Sequence, residues 1–376
     1  MTTSGPADPS TATLDALVAD LRELVECESP SDDHAAIERS ADLVAWLGAR
    51  RLGIAPERIV LDGVHHLRWR FGGPRVLVLA HHDTVWPIGT LTRHPFSVTD
   101  GILRGPGCFD MLAGLAMALH AIAGLADRTG VTLLVTGDEE LGAGTSRGLI
   151  EDEARQASAA LVLEASAEAG ALKTARKGTS HYEIDIVGRA AHAGLEPEKG
   201  VNAAVEQAHQ ILAIAGLDAP AAGTTVTPTA ARAGTTRNTV PASARFSVDV
   251  RAWTSEEQDR VDTAIRALRP VLPDARIQVN GGINRPPLPE SASLPLYERA
   301  RKIAGRLGLP ELTHAAVGGG SDGNFTAGVG TQTLDGLGAV GGGAHAEHEH
   351  VLVDRLVDRT VLLRGLLEEL LGDEVR

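Results

Sequence analysis

Three short runs, Val76–Ala80 (VLVLA), Val131–Val135 (VTLLV) and Ala159–Leu163 (AALVL), are apolar almost throughout. A strand with one wet face alternates polar and apolar residues, so unbroken runs of this length belong in a sheet covered on both faces. The segments between them read as helices: Met111–Leu125, apolar nearly all round and therefore buried, and Ser146–Ala157. Strands alternating with helices predict an α/β fold with a mixed, mostly parallel sheet flanked by helices. Two amphipathic helices precede it, Leu14–Val25 and His34–Leu52, the second with Ser31, Asp32 and Asp33 as candidate caps. From Leu296 the alternation resumes and ends in a helix over Asp354–Leu371.

The middle of the chain has a different pattern. Tyr182–Val187 and Arg245–Val250 alternate polar and apolar, as half-exposed strands do, and Ala275–Val279 reads as a closing strand. Val201–Leu217 and Glu256–Leu268 read as amphipathic helices between them. The expectation is an inserted α+β domain of four strands and two helices over residues 176–284. Residues 1–175 and 285–376 then form the main domain, with Arg285–Pro289 (RPPLP) as the return linker. A chain of 376 residues is longer than one core usually serves.

The net charge of -14, with no basic block, argues against a nucleic-acid partner. No apolar run approaches the ~20 residues that span a bilayer, so no membrane association is expected. Cys27 and Cys108 are the only cysteines, which fits a reducing cytoplasm and no disulfide framework. The N-terminal MTTSGPADPSTAT shows no basic start with an apolar core, so no signal peptide is expected and the localisation read is cytoplasmic.

All three buried runs end on polar side chains that can bind a metal: His81 and Asp83, then Glu139 and Glu140, then Glu164. Asp110 and His345 each follow a glycine-rich turn. In open α/β sheets chemistry gathers at the carboxyl ends of the strands. Adjacent carboxylates there repel, and each needs a proton or a cation. Histidines and carboxylates without thiolates suit Zn²⁺, Mn²⁺ or Co²⁺. Residues i and i+2 of an extended strand point the same way, which places Asp83 to orient His81 or its neighbour His82. Any one of these residues alone is more often a surface group; a set spread over five strand ends and glycine-rich turns is harder to dismiss. His120, inside an apolar helix, reads as a hydrogen-bonded core residue. His65, His66, His94, His181, His209 and His314 carry no partner pattern.

Two further strings compete. Gly319–Gly323 satisfies G-x-S-x-G, and Asp335 and His345 follow in the order acid, histidine, so a serine hydrolase using Ser321 is a rival. It leaves the acids at positions 110, 139, 140 and 164 without a role. Gly336–Gly341 satisfies G-x-G-x-x-G but has no βαβ unit after it.

The segments AHHDTVWPIGTL, RGPGCFDMLAGL, VTGDEELGAGTSRGL, LEAS, RAAHAGLEPEKGVNA, NTVPASARFSVDVR, GGGSDGNF and HAEHEHV, in that order, resemble the dinuclear-zinc family of glutamate carboxypeptidases, aminoacylases and succinyl-diaminopimelate desuccinylases. The similarity covers nearly the whole chain, and DTVWPIGTL with HPF is most like the glutamate carboxypeptidase branch. The resemblance implies two Zn²⁺ ions, with Co²⁺ or Mn²⁺ as substitutes. Asp110 matches the bridging carboxylate, His81 and Glu164 the ligands of one metal, Glu140 and His345 those of the other. Asp83 matches the acid that orients His81, and Glu139 the general base. A cis peptide is implied after Asp110. His192 matches a histidine that reaches a neighbouring subunit's site and stabilises an oxyanion. Asn238 and Arg251 match substrate-binding residues, Arg251 being suited to a bidentate grip on a carboxylate. Gly320 and Ser321 match a loop that contacts the terminal carboxylate.

The implied activity is metal-dependent amide hydrolysis that releases a C-terminal amino acid, glutamate, from a small peptide or N-acyl amino acid. An N-acyl-amino-acid amidohydrolase is the alternative with the same chemistry. A non-catalytic binding protein would be expected to lack Glu139. The inserted domain is expected to act as a lid and as a homodimer interface. Met111-Leu112 departs from the family, where many members carry an acid or Met followed by Lys. Within HAEHEH, His345 is preferred to His348 and His350 because it directly follows the glycine loop and precedes Glu349 by four residues.

Overall fold

The computed structural model describes residues 13–372, so the stretch read for a signal peptide lies, but for its last residue, outside the described residues. The main sheet has six strands in the order Glu57–Leu61, Val64–Arg70, Val131–Thr136, Val76–His81, Ala159–Val162, Gln332–Leu334. The last four run parallel and the first two join antiparallel, which makes the sheet mixed and mostly parallel. The three apolar runs are its central strands, buried at every position.

Glu57–Leu61, an edge strand, and Val64–Arg70, paired between it and Val131–Thr136, went unread in the sequence because charged and histidine side chains interrupt their apolar pattern. Arg68 and Arg70 both reach the buried carboxylate of Glu153, and Arg68 also pairs with Glu57. Helix Ala113–Ala123 is buried along almost its whole length. It lies so close to the sheet that a Cβ at Gly114 would come within 2.0 Å of the Leu163 carbonyl. The helix expected from Met111 starts at Ala113, since Asp110 and Met111 take non-helical angles. His120 is a core residue, its Nε2 2.8 Å from Asp20 Oδ2. Asp20 is fully buried and also receives Arg51 Nε at 2.7 Å, which ties together helices Leu14–Glu26, His34–Leu52 and Ala113–Ala123. Burial raises its pKa, but His120 and Arg51 outweigh this and hold it well below the usual carboxylate range.

The chain forms two compact units, one of them made of Arg176–Pro287 with Gly318–Gly320. That unit has an antiparallel sheet ordered Thr225–Ala233, Ser243–Ala252, Gly178–Val187, Arg276–Arg285, with helices Ala203–Ala215 and Ser255–Arg266. Its separate core is built on Tyr182, Ile184, Phe246, Val248, Val250 and Val261. Thr225–Ala233 could not be located from sequence. Pro228 interrupts it, a bulge follows between Pro228 and Ala231, and both are tolerated because this is an edge strand. Gly318–Gly320 groups with this unit, as Arg176 Nη1 donates to the carbonyls of Gly319 and Gly320 at 3.1 Å each. Among the described residues no helix is long and apolar enough to cross a membrane.

Candidate active site

Parallel pairing puts the carboxyl ends of three strands on one edge, with His81 opposite Thr136 and Leu79 opposite Val162. The residues just beyond those ends are therefore brought together. His81, Asp110 and Glu164 form one group and Asp110, Glu140 and His345 a second, the ligand atoms within each lying within 4.8 Å of one another. Asp110 belongs to both. Of the three histidines in HAEHEH, His345 is the one whose ring joins the carboxylates, its Nε2 3.2 Å from Glu140 Oε2 and 3.4 Å from Asp110 Oδ2. His345 also has a φ of 62°, which residues other than glycine rarely adopt. Gly343 before it lies where a Cβ would crowd the Glu349 amide at 2.9 Å.

His81 Nδ1 lies 2.9 Å from the main-chain carbonyl of Asp83, so that nitrogen carries a proton and donates it. Its Nε2 is buried without a hydrogen-bond partner and faces Glu164 Oε1 at 3.5 Å and Asp110 Oδ1 at 3.7 Å. A lone pair between two carboxylates is repelled unless something positive lies between them. Burial depresses the His81 pKa, but Asp110, Asp83 and Glu164 outweigh it and raise the value well above normal. Asp110 and Glu140 lift His345 to about 10. Burial, with the Asp110 charge beside it, pushes Glu140 up to about 7 despite His345. The site gathers more negative charge than its two imidazoles can balance, and its oxygen and nitrogen donors suit a hard or borderline divalent cation. The residues present therefore fit a metal centre.

The carboxylate of Asp83 stays beside His81, its Oδ1 3.4 Å from Nδ1, while the shorter contact at that nitrogen is the Asp83 carbonyl. The strand ends at His81, so the i, i+2 geometry no longer holds at Asp83. The same carboxylate also accepts the backbone N–H groups of Glu139 at 3.2 Å and Glu140 at 3.1 Å, and the Ser31 hydroxyl at 2.7 Å. Asp83 thus seats the turn that carries both glutamates. His82 is turned away, donating from Nε2 to the His65 carbonyl at 3.0 Å, and burial lowers its pKa to about 4. Met111 reaches the site: its Sδ accepts the His81 N–H at 3.3 Å. The Asp110–Met111 peptide is cis.

Two positioning residues were missed. Asp138 accepts from the backbone and hydroxyl of both Thr145 and Ser146, closing the loop behind Glu139–Glu140. Glu349 is fully buried, and its carboxylate takes four N–H donors: Trp86 Nε1 (2.8 Å) and the amides of Gly107 (2.9 Å), Phe109 (2.9 Å) and Asp110 (3.0 Å). It holds the turn that aims Asp110. Glu349→Gln puts an amide N–H among these donors, and the expected result is a roughly 10–100-fold loss of metal affinity in a chelator competition.

The serine-hydrolase reading fails on geometry. Ser321 is fully buried, and its Oγ donates to Asp335 Oδ2 at 2.6 Å with no histidine between them. The Ser321 hydroxyl, expected in the loop that contacts the terminal carboxylate, is thus buried and given to Asp335. The Gly336–Gly341 string wraps the buried guanidinium of Arg359, which donates to the carbonyls of Gly336 and Gly338.

In the other unit, Asn238 and His192 are exposed neighbours: Ala193 N–H donates to the Asn238 carbonyl at 2.9 Å, and His192 pairs with Thr239. Gly194 N–H donates to His192 Nδ1 at 3.1 Å, so the neutral ring carries its proton on Nε2. Arg251 is held by Asp249 through Nε and Nη2 at 2.8 Å each, so one edge of its fork is already engaged.

These features define a metal-dependent hydrolase. Residues 77–369 match Peptidase family M20/M25/M40, and the chain belongs to that family of metal-dependent peptidases and amidohydrolases. Carboxypeptidase G2 from Pseudomonas sp. (strain RS-16) is 31% identical over 375 residues, covering 94% of this chain and 89% of that protein. Succinyl-diaminopimelate desuccinylase 2 from Shewanella loihica is 28% identical over 382 residues, covering 92% of this chain and 98% of that one. The M20 family metallo-carboxypeptidase Sso-CP2 from Sulfolobus solfataricus has the same fold, with a TM-score of 0.74 and 16% identity over 94% of this chain and 98% of that one.

Proposed function

We propose that the chain hydrolyses an amide bond and releases a C-terminal amino acid, glutamate, from a small peptide or N-acyl amino acid. The observation that carries this is Asp110 shared between two ligand groups, with Glu139 on the turn beside Glu140. His81, Asp110 and Glu164 would hold one Zn²⁺ and Asp110, Glu140 and His345 the other, with Co²⁺ or Mn²⁺ as substitutes. When bound, the cations acidify the attacking water and polarise the scissile carbonyl. Glu139 takes the proton from that water and returns it to the departing amine nitrogen. His192, its proton on Nε2, is a donor suited to the developing oxyanion. Arg251 and Asn238, with the backbone around Gly320, hold the free carboxylate of the leaving residue. The unit 176–287 acts as a lid that excludes water on closure. It also supplies a homodimer face, for which exposed Val205 and Leu212, seven apart on one helix, offer apolar surface.

The likeness to carboxypeptidase G2 supports release of a C-terminal residue, the resemblance to the glutamate carboxypeptidase branch points to glutamate as that residue, and the likeness to a desuccinylase favours a second reading, N-acyl-amino-acid hydrolysis. Purified protein with Zn²⁺, Co²⁺ or Mn²⁺ should release glutamate from N-acyl-glutamates and dipeptides and stop on chelation. Arg251→Ala should raise KM for substrates with a free α-carboxylate by about tenfold or more. Activity that survives chelation, or an unchanged KM, contradicts this reading.

A further inference from the structure

The turn that carries Glu139 and Glu140 is held from one side by Asp83, whose carboxylate takes both glutamate amides. A second support comes from Val64–Arg70, the strand paired with Val131–Thr136. His66 on that strand is fully buried, and no step of the proposed chemistry uses it. Its Nδ1 accepts the Gly137 N–H at 3.2 Å, at the point where the chain leaves Val131–Thr136 for the turn. A neutral imidazole that accepts at Nδ1 carries its proton on Nε2. That Nε2 lies 3.0 Å from Thr145 Oγ1, which in turn donates to Asp138 Oδ2 at 2.8 Å. The donors therefore run in one direction, from Gly137 to His66, from His66 to Thr145 and from Thr145 to Asp138.

Gly137 enters the loop that bears the two glutamates and Thr145 leaves it, so one ring grips both ends. The packing beneath is tight. A Cβ at Gly137 would come within 2.7 Å of the His65 carbonyl and 2.9 Å of His82 Nε2. That carbonyl accepts from His82 Nε2 at 3.0 Å, and His82 Nδ1 lies 3.0 Å from Ser40 Oγ. Burial holds the His66 pKa below its usual value against the nearby charges of Asp138 and Asp83, so the ring keeps the neutral form this arrangement requires. A ring buried only to fill space needs no polar partner, whereas this one meets a partner at each nitrogen.

We infer that His66 is a positioning residue for the hydrolysis: it clamps the loop 137–145 at both ends and so sets where the Glu139 and Glu140 carboxylates stand relative to Asp110 and His345. The inference rests on the hydrolase reading above and adds to it a residue outside both ligand groups. Glu140 belongs to the group with Asp110 and His345, while His81, Asp110 and Glu164 come from other segments. The clamp thus bears on the base and on one of the two metal positions, and leaves the other alone.

The test compares three variants of the full chain. His66→Phe keeps a ring but neither hydrogen bond. His66→Asn places an amide oxygen near Nδ1, where it can take the Gly137 N–H, and His66→Gln places an amide nitrogen near Nε2, where it can reach Thr145. Each is measured for kcat and KM on an N-acyl-glutamate, for Tm, and for its two stepwise Zn²⁺ affinities by chelator competition. His66→Phe should lower kcat by roughly 10²-fold, the cost of about 1 Å of misplacement at a reacting group, with KM unchanged. One Zn²⁺ affinity should fall about tenfold or more while the other stays, because Glu140 serves a single group. Asn and Gln should each recover part of both losses. Wild-type kcat in all three variants, no recovery by Asn or Gln, or two Zn²⁺ affinities that fall together with Tm, overturns the inference and leaves the hydrolase reading standing. A wild type that releases no glutamate overturns the hydrolase reading alone, and the Zn²⁺ affinities then decide the role of His66.

Discussion

Glutamine at position 139 is expected to lower kcat by roughly 10²–10⁴-fold, the range a positioned general base contributes. KM and metal content should stay near their wild-type values. Glu139 belongs to neither ligand group, and the turn that carries it is fixed through its backbone: its N–H donates to Asp83 and the following loop is closed by Asp138. The amide side chain is close in size and leaves those contacts intact, so what is lost is the ability to accept and return a proton. Steady-state kinetics together with metal analysis of the same sample checks this. A variant that keeps full turnover, or that loses its metal along with its activity, would contradict the assignment.

Removing Asp110 should have an effect at least as large by a different route. Asp110 is the one carboxylate common to both groups, so Asp110→Ala weakens both at once, whereas changing Glu164 or Glu140 weakens one. The expected result is a fall in bound metal to less than one ion per chain. Turnover should fall by about 10³-fold or more, because several kcal/mol of charge stabilisation leave with the cations at 1.36 kcal/mol per decade. Fold should survive, since the side chain of Asp110 is partly open to solvent and the hydrophobic core lies behind it. Metal analysis and circular dichroism on the same preparation separate loss of the site from loss of the fold.

What could be read in the chain before its structure, and what could not, follows from how local each feature is. The central strands were legible because burial on both faces leaves an unbroken apolar run, and parallel pairing then obliges their carboxyl ends to meet. That gathered His81, Asp83, Glu139, Glu140 and Glu164 at one edge, while the choice of ligands among them came from the family resemblance. The part played by Asp83 was legible only as far as the strand persists. The chain leaves the sheet at His81, so the Asp83 carbonyl makes the short contact to the imidazole, and the carboxylate, still 3.4 Å from it, also takes the amides of Glu139 and Glu140. Glu349 was visible as a spacing from His345, but its four N–H donors come from segments about 240 to 263 residues away, which no local pattern reveals. The edge strands Glu57–Leu61 and Thr225–Ala233 were obscured by the charges and the proline that their edge positions permit.

Two cations sharing Asp110 are the centre of the proposed chemistry, and anomalous diffraction from crystals grown with Zn²⁺ tests them directly. Two peaks per chain are expected, one against His81, Asp110 and Glu164, the other against Asp110, Glu140 and His345. A single peak, or peaks away from Asp110, would contradict it.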